Sequence, residues 1–214
     1  MALAYRERPA DGEPDGLLVL HHGRGSDELD MFGLGEALDP GRRLHLVAPR
    51  APLALPGQPG WHWYVVPRVG HPDPDSFAAS VEQLAALHDE LWLRTSIAPE
   101  RTVIGGFSQG SVMSYALALH PQRAAPGALL ALSGFIPTVP GWRAELADRP
   151  QLRAFIAHGR ADPVISVEFG RAADAALVAG GLEVVYRESA GGHEIDRGTL
   201  EAASAWLAAT ALSR

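Results

Sequence analysis

The 214-residue chain contains no cysteine, no lysine and no asparagine. Without Cys there is no thiolate nucleophile, no disulfide and no CxxC metal site; without Lys there is no Schiff base, no Ser-Lys dyad and no P-loop lysine. Without Asn there is no acceptor for N-linked sugar. All 18 basic residues are therefore arginines, and against 25 carboxylates they leave a net charge of −7. An acidic chain of this kind lacks the electrostatic footprint of a nucleic-acid binder or of a protein held on an anionic membrane. The missing residue types themselves read as coding bias, not as function. Long apolar runs are lacking too: the longest are strand-sized, far short of the roughly 18 residues of a membrane span. The opening MALAYRERPADGEPDG has no apolar stretch of the kind a secretory leader needs. A cytoplasmic protein with no stable membrane insertion is expected.

What is present is 47% apolar and 20% charged residues with no repeat, no low-complexity tract and no dividing linker. Residues 1–214 are expected to form a single domain with a substantial core. Short apolar runs alternate with helical periods. Leu17 to His21, ending in HHGRGSD, and Leu44 to Ala48, stopped by Pro49, read as buried strands. From Ser76 the apolar positions Phe77, Val81, Leu84, His88 and Leu91 share one helical face, with Asp75 or Ser76 as N-cap. Strands are predicted at Thr102 to Phe107, Ala128 to Ser133, Leu152 to Ala157 and Leu182 to Arg187. Helices are predicted at Gln109 to His120, Val167 to Ala179 and Thr199 to Leu212, the last with Leu200, Ala203, Leu207 and Ala211 inward. Strands apolar on both faces that alternate with helices imply a mostly parallel sheet covered on both sides, a three-layer α/β/α sandwich. Two irregular Pro- and Gly-rich stretches, Pro49 to Pro74 and Gly134 to Pro150, stand out; the first holds Trp61, Trp63 and Tyr64 and should pack.

The motif that carries chemistry is GFSQG, Gly106 to Gly110. By composition alone a GxSxG pattern would arise somewhere in such a chain about one time in seven, so the setting decides. RTVIGGF before the serine reads as a strand and QGSVMSYALALH after it as a helix, the strand-turn-helix context of a nucleophile elbow. Glycines two before and two after Ser108 leave room for the strained turn, and the helix N-terminus favours negative charge beside the reacting oxygen.

A serine nucleophile needs a base, which in hydrolase order follows the acid. Three histidines lie downstream. His120 ends the elbow helix about 18 Å away and reads as a helix cap; His158, in AHGRADPVI, reads as a structural or pocket-wall residue. His193 remains, on a glycine-rich loop after the strand LEVVYRE. Of the seven carboxylates between Ser108 and His193, only Asp162 closely follows a strand, where catalytic groups of open α/β sheets gather. A turn carboxylate at the surface is its competing reading. Oxyanion donors are expected from the backbone N–H of Gln109 and of Arg24, the latter in the loop that Gly23 and Gly25 let approach a substrate carbonyl. The Arg24 guanidinium has no assigned role and reads equally as a solvent-facing cation.

HHGRGSD, GFSQG, HGRADPVI and GGHEI, in this order, resemble the phospholipase/carboxylesterase family of α/β-hydrolases, which includes bacterial carboxylesterases and acyl-protein thioesterases. The likeness runs from about residue 16 to the C-terminus. It implies an α/β-hydrolase fold, Ser108 as nucleophile, Asp162 as acid, His193 as base and the N–H groups of Arg24 and Gln109 as oxyanion donors. Arg24 stands where the family commonly has a leucine, and the stretch around GWHWY is shortened and altered; both flank the acyl pocket and argue against long-chain specificity.

The resulting expectation is a serine carboxylesterase with no separate cap domain, no cofactor and no metal, acting on short to medium acyl esters. Its activity should fall as pH drops through about 6 to 7, because the base must be neutral. Trp61, Trp63, Phe135, Val164 and Ile165, with Tyr64, Ile136 and Ile195, are candidate pocket walls, ordinary loop packing being the competing reading for each. The expected partner is a small-molecule ester, with a homodimer compatible with the chain and no nucleic acid. An acyl thioesterase or lysophospholipase is the alternative within the same chemistry, and a non-catalytic hydrolase-fold binding protein the alternative outside it.

Overall fold

A computed structural model describes residues 2–149 and 151–210. Seven strands form one sheet in the order β1-β3-β2-β6-β7-β8-β9. They are β1 (Tyr5–Arg8), β2 (Gly16–His21), β3 (Leu44–Pro49), β6 (Thr102–Phe107), β7 (Ala128–Leu132), β8 (Arg153–Gly159) and β9 (Glu183–Ser189). β1 pairs antiparallel with β3, and every other pair is parallel. A two-stranded ribbon, β4 (Leu53–Ala54) with β5 (Trp61–His62), lies between β3 and the next helix. The helices are α1 (Glu28–Leu38), α2 (Pro74–Thr95), α3 (Gln109–Ala118), α4 (Val167–Ala179) and α5 (Arg197–Ala209). Among the described residues no helix is long and apolar enough to cross a membrane.

The period of two in the strands builds the layers. In β2, Leu17 and Val19 face one side, where they pack with Phe77, Leu84, Val112 and Met113 of α2 and α3. Leu18 and Leu20 face the other, against Met31, Leu38, Ala203 and Leu207 of α1 and α5. Farther along the sheet, Leu129, Ala154 and Ile156 meet Ala173 and Leu177 of α4. The strands of the sheet centre are buried on both faces, whereas the edge strand β9 alternates between exposed and half-buried. This is the three-layer α/β/α arrangement that the alternating elements imply.

Differences from the expected boundaries have local causes. The α2 N-cap is Asp73, not Asp75 or Ser76: its side chain accepts the Ser76 N–H at 3.0 Å, and Pro74 occupies the first helical position, where a missing N–H costs nothing. α3 ends at Ala118, short of His120, and β8 and β9 each run two residues beyond the predicted ends. α5 begins two residues early, at Arg197, and Ala211 and Leu212 of the predicted closing helix lie outside the described residues. The β4–β5 ribbon, α1 and β1 have no counterpart among the elements expected from the sequence pattern. α1 carries two glycines that lower its helix propensity; Gly35 gives room to the Leu46 side chain, whose Cδ1 would lie 2.4 Å from a Cβ placed there. β1, YRER, has no strand-like apolar alternation; it is an edge strand whose one buried residue, Arg8, pairs with Glu36 and with Asp39.

Beneath the centre of the sheet lies a buried histidine group. Ser114 Oγ donates to the Gly110 carbonyl at 2.8 Å, so His21 Nδ1, 2.9 Å from that oxygen, is the donor to it. His21 Nε2 is then the acceptor for His88 Nε2, 3.4 Å away. His22 accepts the Ala51 N–H at 3.0 Å and donates to the Gly23 carbonyl at 2.7 Å. Each ring therefore needs to be neutral. Burial holds all three below the ordinary histidine value, His88 at about 3, with Arg123 adding to the effect on His88 and the neighbouring histidines to that on His21.

Unfolding frees these rings to bind protons near pH 6.5, whereas the folded rings resist, so acid favours the unfolded chain. Each histidine that stays neutral costs about 1.4 kcal/mol of stability per pH unit below that point. The urea midpoint should be level from pH 8 to 7 and fall steadily from 6.5 to 5, and His88→Gln, which keeps a donor toward His21, should flatten the fall. Equal midpoints at pH 7 and 5 would contradict the neutral cluster.

Candidate active site

The turn between β6 and α3 places Ser108 at φ 55° and ψ −121°, a strained conformation for a residue with a side chain. A Cβ on Gly106 would lie 2.6 Å from the Gly110 carbonyl carbon and from the His21 oxygen. One on Gly110 would lie 2.0 Å from the His21 oxygen and 2.6 Å from that of His22. The two glycines are required by the end of β2 as well as by the turn itself.

Three chain segments meet at the C-terminal edge of the sheet. Ser108 Oγ is 2.8 Å from His193 Nε2, and His193 Nδ1 is 2.6 Å from Asp162 Oδ2. Asp162 stands in the turn after β8 and His193 in the loop after β9. Gly159 lets that loop cross the end of β8, since a Cβ there would lie 2.1 Å from the Gly192 oxygen. The loop is fastened by Ala161 N–H to the Gly191 oxygen and Arg160 N–H to the Ser189 oxygen, at 3.0 and 2.9 Å. The Phe107 ring tilts against the imidazole at 4.8 Å, a contact no sequence pattern signals.

The Asp162 side chain is fully buried. Burial by itself would raise its pKa, but the hydrogen bond from His193 and the N–H groups of Ile165 and Val164, both 2.8 Å from Oδ1, outweigh this and hold it below the ordinary carboxylate value. It is thus a charged acceptor for the imidazole, not a surface turn residue. His158 lies behind it, with Nε2 donating to the Ile165 oxygen at 2.8 Å and 3.4 Å from Asp162 Oδ2. It shapes the acid's turn and does not reach the cleft. His120 caps a turn rather than the helix, its Nδ1 accepting the Gln122 N–H at 3.2 Å. A hydroxyl bonded to an imidazole that is bonded to a buried carboxylate can lose its proton as it attacks an electrophile.

Opposite this line, the loop after β2 runs beside Ser108. A Cβ on Gly23 would lie 3.3 Å from Ser108 Cβ, so the loop that carries Arg24 runs next to Ser108. Gly25, at φ +87°, donates its N–H to the Trp61 oxygen at 2.9 Å. Gln109 opens α3, where N–H groups of a first turn have no intrahelical partner. Its side chain has a second task that the sequence does not signal, because its partners lie 45 and 46 residues away. Oε1 accepts the Trp63 N–H at 2.7 Å and Nε2 donates to the Tyr64 oxygen at 2.8 Å, so the 61–64 segment is fastened to the elbow.

A cleft of about 580 Å³ opens over Ser108, lined by Gln109, Arg24, Tyr64, Val65, Val66, Val69, Phe135, Val164 and Ile165 among others. Phe135, Val164, Ile165 and Tyr64 are where the sequence places them. Trp61 and Trp63 are not. Trp63 is fully buried, donating Nε1 to the His22 oxygen at 2.8 Å with its ring against those of His21 and His22. Trp61 lies under the Arg50 guanidinium, 5.0 Å from it. Trp63 belongs to the core cluster between the sheet and α2 and α3, and Trp61 packs partly against it, as indoles of this size gain more from packing than from lining an open cleft. Ile136 and Ile195 likewise pack into the helical layers rather than the cleft.

Residues 8–211 match the family described as phospholipase/carboxylesterase. Acyl-protein thioesterase 1 of Debaryomyces hansenii is 34% identical over 134 residues, 58% of this chain and 56% of that protein, so the match spans little more than half of that relative. Acyl-protein thioesterase 1 of Yarrowia lipolytica is 29% identical over 178 residues, 76% of each chain. Among solved structures, esterase PE8 superposes with a TM-score of 0.81 at 28% identity, covering 98% of this chain and 100% of that one. The α/β-hydrolase fold that the motifs imply is the fold observed.

If the contact between α3 and β2 sets the elbow, Gly110→Ala should lower stability by about 3 kcal/mol or more, a fall in Tm of roughly 6 to 12 °C for a chain of this size. Gly12→Ala, where a Cβ meets nothing within 4 Å, should leave Tm unchanged. Equal melting curves for the two variants would show that the close approach does not constrain the fold.

Proposed function

Because the chain belongs to the phospholipase/carboxylesterase family of hydrolases, we propose that it is a serine carboxylesterase cleaving short to medium acyl esters through Ser108, His193 and Asp162. The observation that carries this reading is the unbroken line from Ser108 Oγ, which lines an apolar cleft, through the imidazole to a buried carboxylate, at 2.8 and 2.6 Å.

In this mechanism His193 Nε2 takes the hydroxyl proton as Ser108 Oγ attacks the ester carbonyl. The oxyanion is received by the N–H groups of Gln109 and Arg24, each worth on the order of 3 kcal/mol in the transition state. The protonated imidazole gives its proton to the departing alcohol oxygen, and the ester C–O bond breaks. Water then repeats the cycle on the acyl-enzyme, returning Ser108 and releasing the acid. Asp162, charged because its hydrogen bonds outweigh its burial, fixes the Nδ1–H tautomer and stabilises the imidazolium. No step calls for a cofactor or metal.

Acyl thioester hydrolysis is the second reading, favoured by the two relatives named acyl-protein thioesterase 1. The acyl-enzyme is the same whichever leaving group forms it, so turnover of matched oxygen esters and thioesters separates the two.

A fluorophosphonate probe should label the protein at Ser108 and fail to label Ser108→Ala. Asp162→Asn should lower kcat on the order of 10³ to 10⁴-fold with a much smaller effect on KM. Butyrate p-nitrophenyl esters should turn over faster than long-chain ones. Undiminished labelling of Ser108→Ala would remove the proposed nucleophile, and a preference for long chains would overturn the acyl range.

A further inference from the structure

The cleft over Ser108 joins an apolar wall to two cations. Val65, Val66, Phe135 and Val164 belong to the wall, Arg24 and Arg68 are the cations, and no aspartate or glutamate is among the described residues that line the cleft. On a chain with a net charge of −7 this is a local reversal of sign. Several other arginines reach carboxylates: Arg94 meets Glu7 and Arg123 meets Asp89 at 2.6 Å, and Arg171 meets Glu188 at 2.7 Å. Arg24 and Arg68 have no ion-pair partner among the described residues.

Both arginines stand on fixed backbone. Arg24 follows the glycine pressed against Ser108, and the next residue is bonded to Trp61. Arg68 stands on a turn closed by the His71 N–H to its own carbonyl at 3.0 Å, and its guanidinium donates to His71 Nε2. That neighbour orients the guanidinium without neutralising it. The turn itself is seated from two sides: Thr138 Oγ donates to the Gly70 oxygen at 3.0 Å, and a Cβ on Gly70 would lie 3.0 Å from the Phe169 ring of α4.

A planar guanidinium with free donors matches a carboxylate in shape and charge. At the mouth of a cleft with low-dielectric walls its field is focused inward; the nearby carboxylate, Asp162, has its side chain fully buried and is engaged by His193 and two backbone N–H groups. We propose that the preferred substrates are esters that carry a carboxylate, with an apolar chain along the wall and the carboxylate paired to Arg68 and Arg24. The proposal rests on the hydrolase reading above and narrows its substrate class. Hydrolysis follows the same course: the ester C–O bond breaks, water supplies the acid's OH and the alcohol's proton, and the substrate's own carboxylate passes unchanged into the product.

The test compares kcat/KM for matched pairs. Monomethyl adipate against dimethyl adipate places the charge on the acyl side; 4-acetoxybutyrate against butyl acetate places it on the alcohol side. In one pair or the other the anionic ester should be favoured about tenfold at low ionic strength, mainly through KM, with the advantage shrinking toward parity in 0.5 M NaCl. The ratio should collapse in Arg68→Gln and invert in Arg68→Glu; because it is a ratio, any general loss of activity cancels. Neutral esters preferred in both pairs by an enzyme whose Ser108 is labelled would overturn the proposal and leave the hydrolase reading standing, as would an anionic preference that Arg68→Glu does not alter. Absence of both turnover and labelling would instead sink the hydrolase reading. Calorimetric titration with adipate and with 1,6-hexanediol then decides the anion site: tighter adipate binding that Arg68→Glu removes supports it, and equal binding of the two overturns it.

Discussion

Where the first turn of α3 meets the end of β2, two stretches of main chain approach so closely that a single methyl group on Gly110 would lie 2.0 Å from the His21 carbonyl oxygen. That approach sets much of the geometry around it. It pushes the turn into a conformation in which Ser108 carries a positive φ, and it brings the loop that follows β2 alongside the serine. The strain has local support, because every residue of α3 is buried and the chain of His88, His21 and Ser114 reaches the Gly110 carbonyl from below. A strained residue persists only where its surroundings over-determine it.

The other half of the site depends on a second close approach. Gly159 ends β8 without a side chain, so the loop after β9 can lie across it and carry His193 over the sheet to Ser108. Asp162, in the turn between, is buried as an anion because three donors point at it, two of them backbone N–H groups of its own turn. The carboxylate therefore organises the turn as much as it orients the imidazole. Gln109 links this centre to the 61–64 segment, with Trp63 buried beneath, so the cleft wall and the elbow are parts of one hydrogen-bonded unit.

Much of this is legible in the residue pattern alone, for reasons that can be named. GFSQG between a strand-like and a helix-like stretch encodes an elbow through local sterics. Asp162 and His193 stand out because parallel sheets collect functional groups at one edge and because the chain offers few candidates in the required order. The period of α2 is legible for the same kind of reason, since Phe77, Val81, Leu84, His88 and Leu91 all point inward. The features that the pattern does not reveal lack a local signal. The polar edge strand β1 is defined by its partner β3, the glycine-bearing α1 by its fit over Leu46, and the start of α2 by a cap one residue before a proline. Trp61 and Trp63 resemble cleft residues in the sequence because size and hydrophobicity cannot say which side of a loop a ring faces.

Composition and order by themselves determined the class of chemistry open to the chain. With no Cys, Lys or Asn, a serine in an elbow can be served only by a histidine and a carboxylate, and strand order narrows these to one of each. Tertiary structure alone decided how close the groups come, which aromatic rings pack into the core and which side chains face the cleft. It also decided that two arginines without ion-pair partners among the described residues stand at a cleft with no carboxylate among its described lining residues, although the chain as a whole is acidic. Those outcomes depend on contacts between segments tens of residues apart, and spacing along a chain carries no information about the distance across a fold.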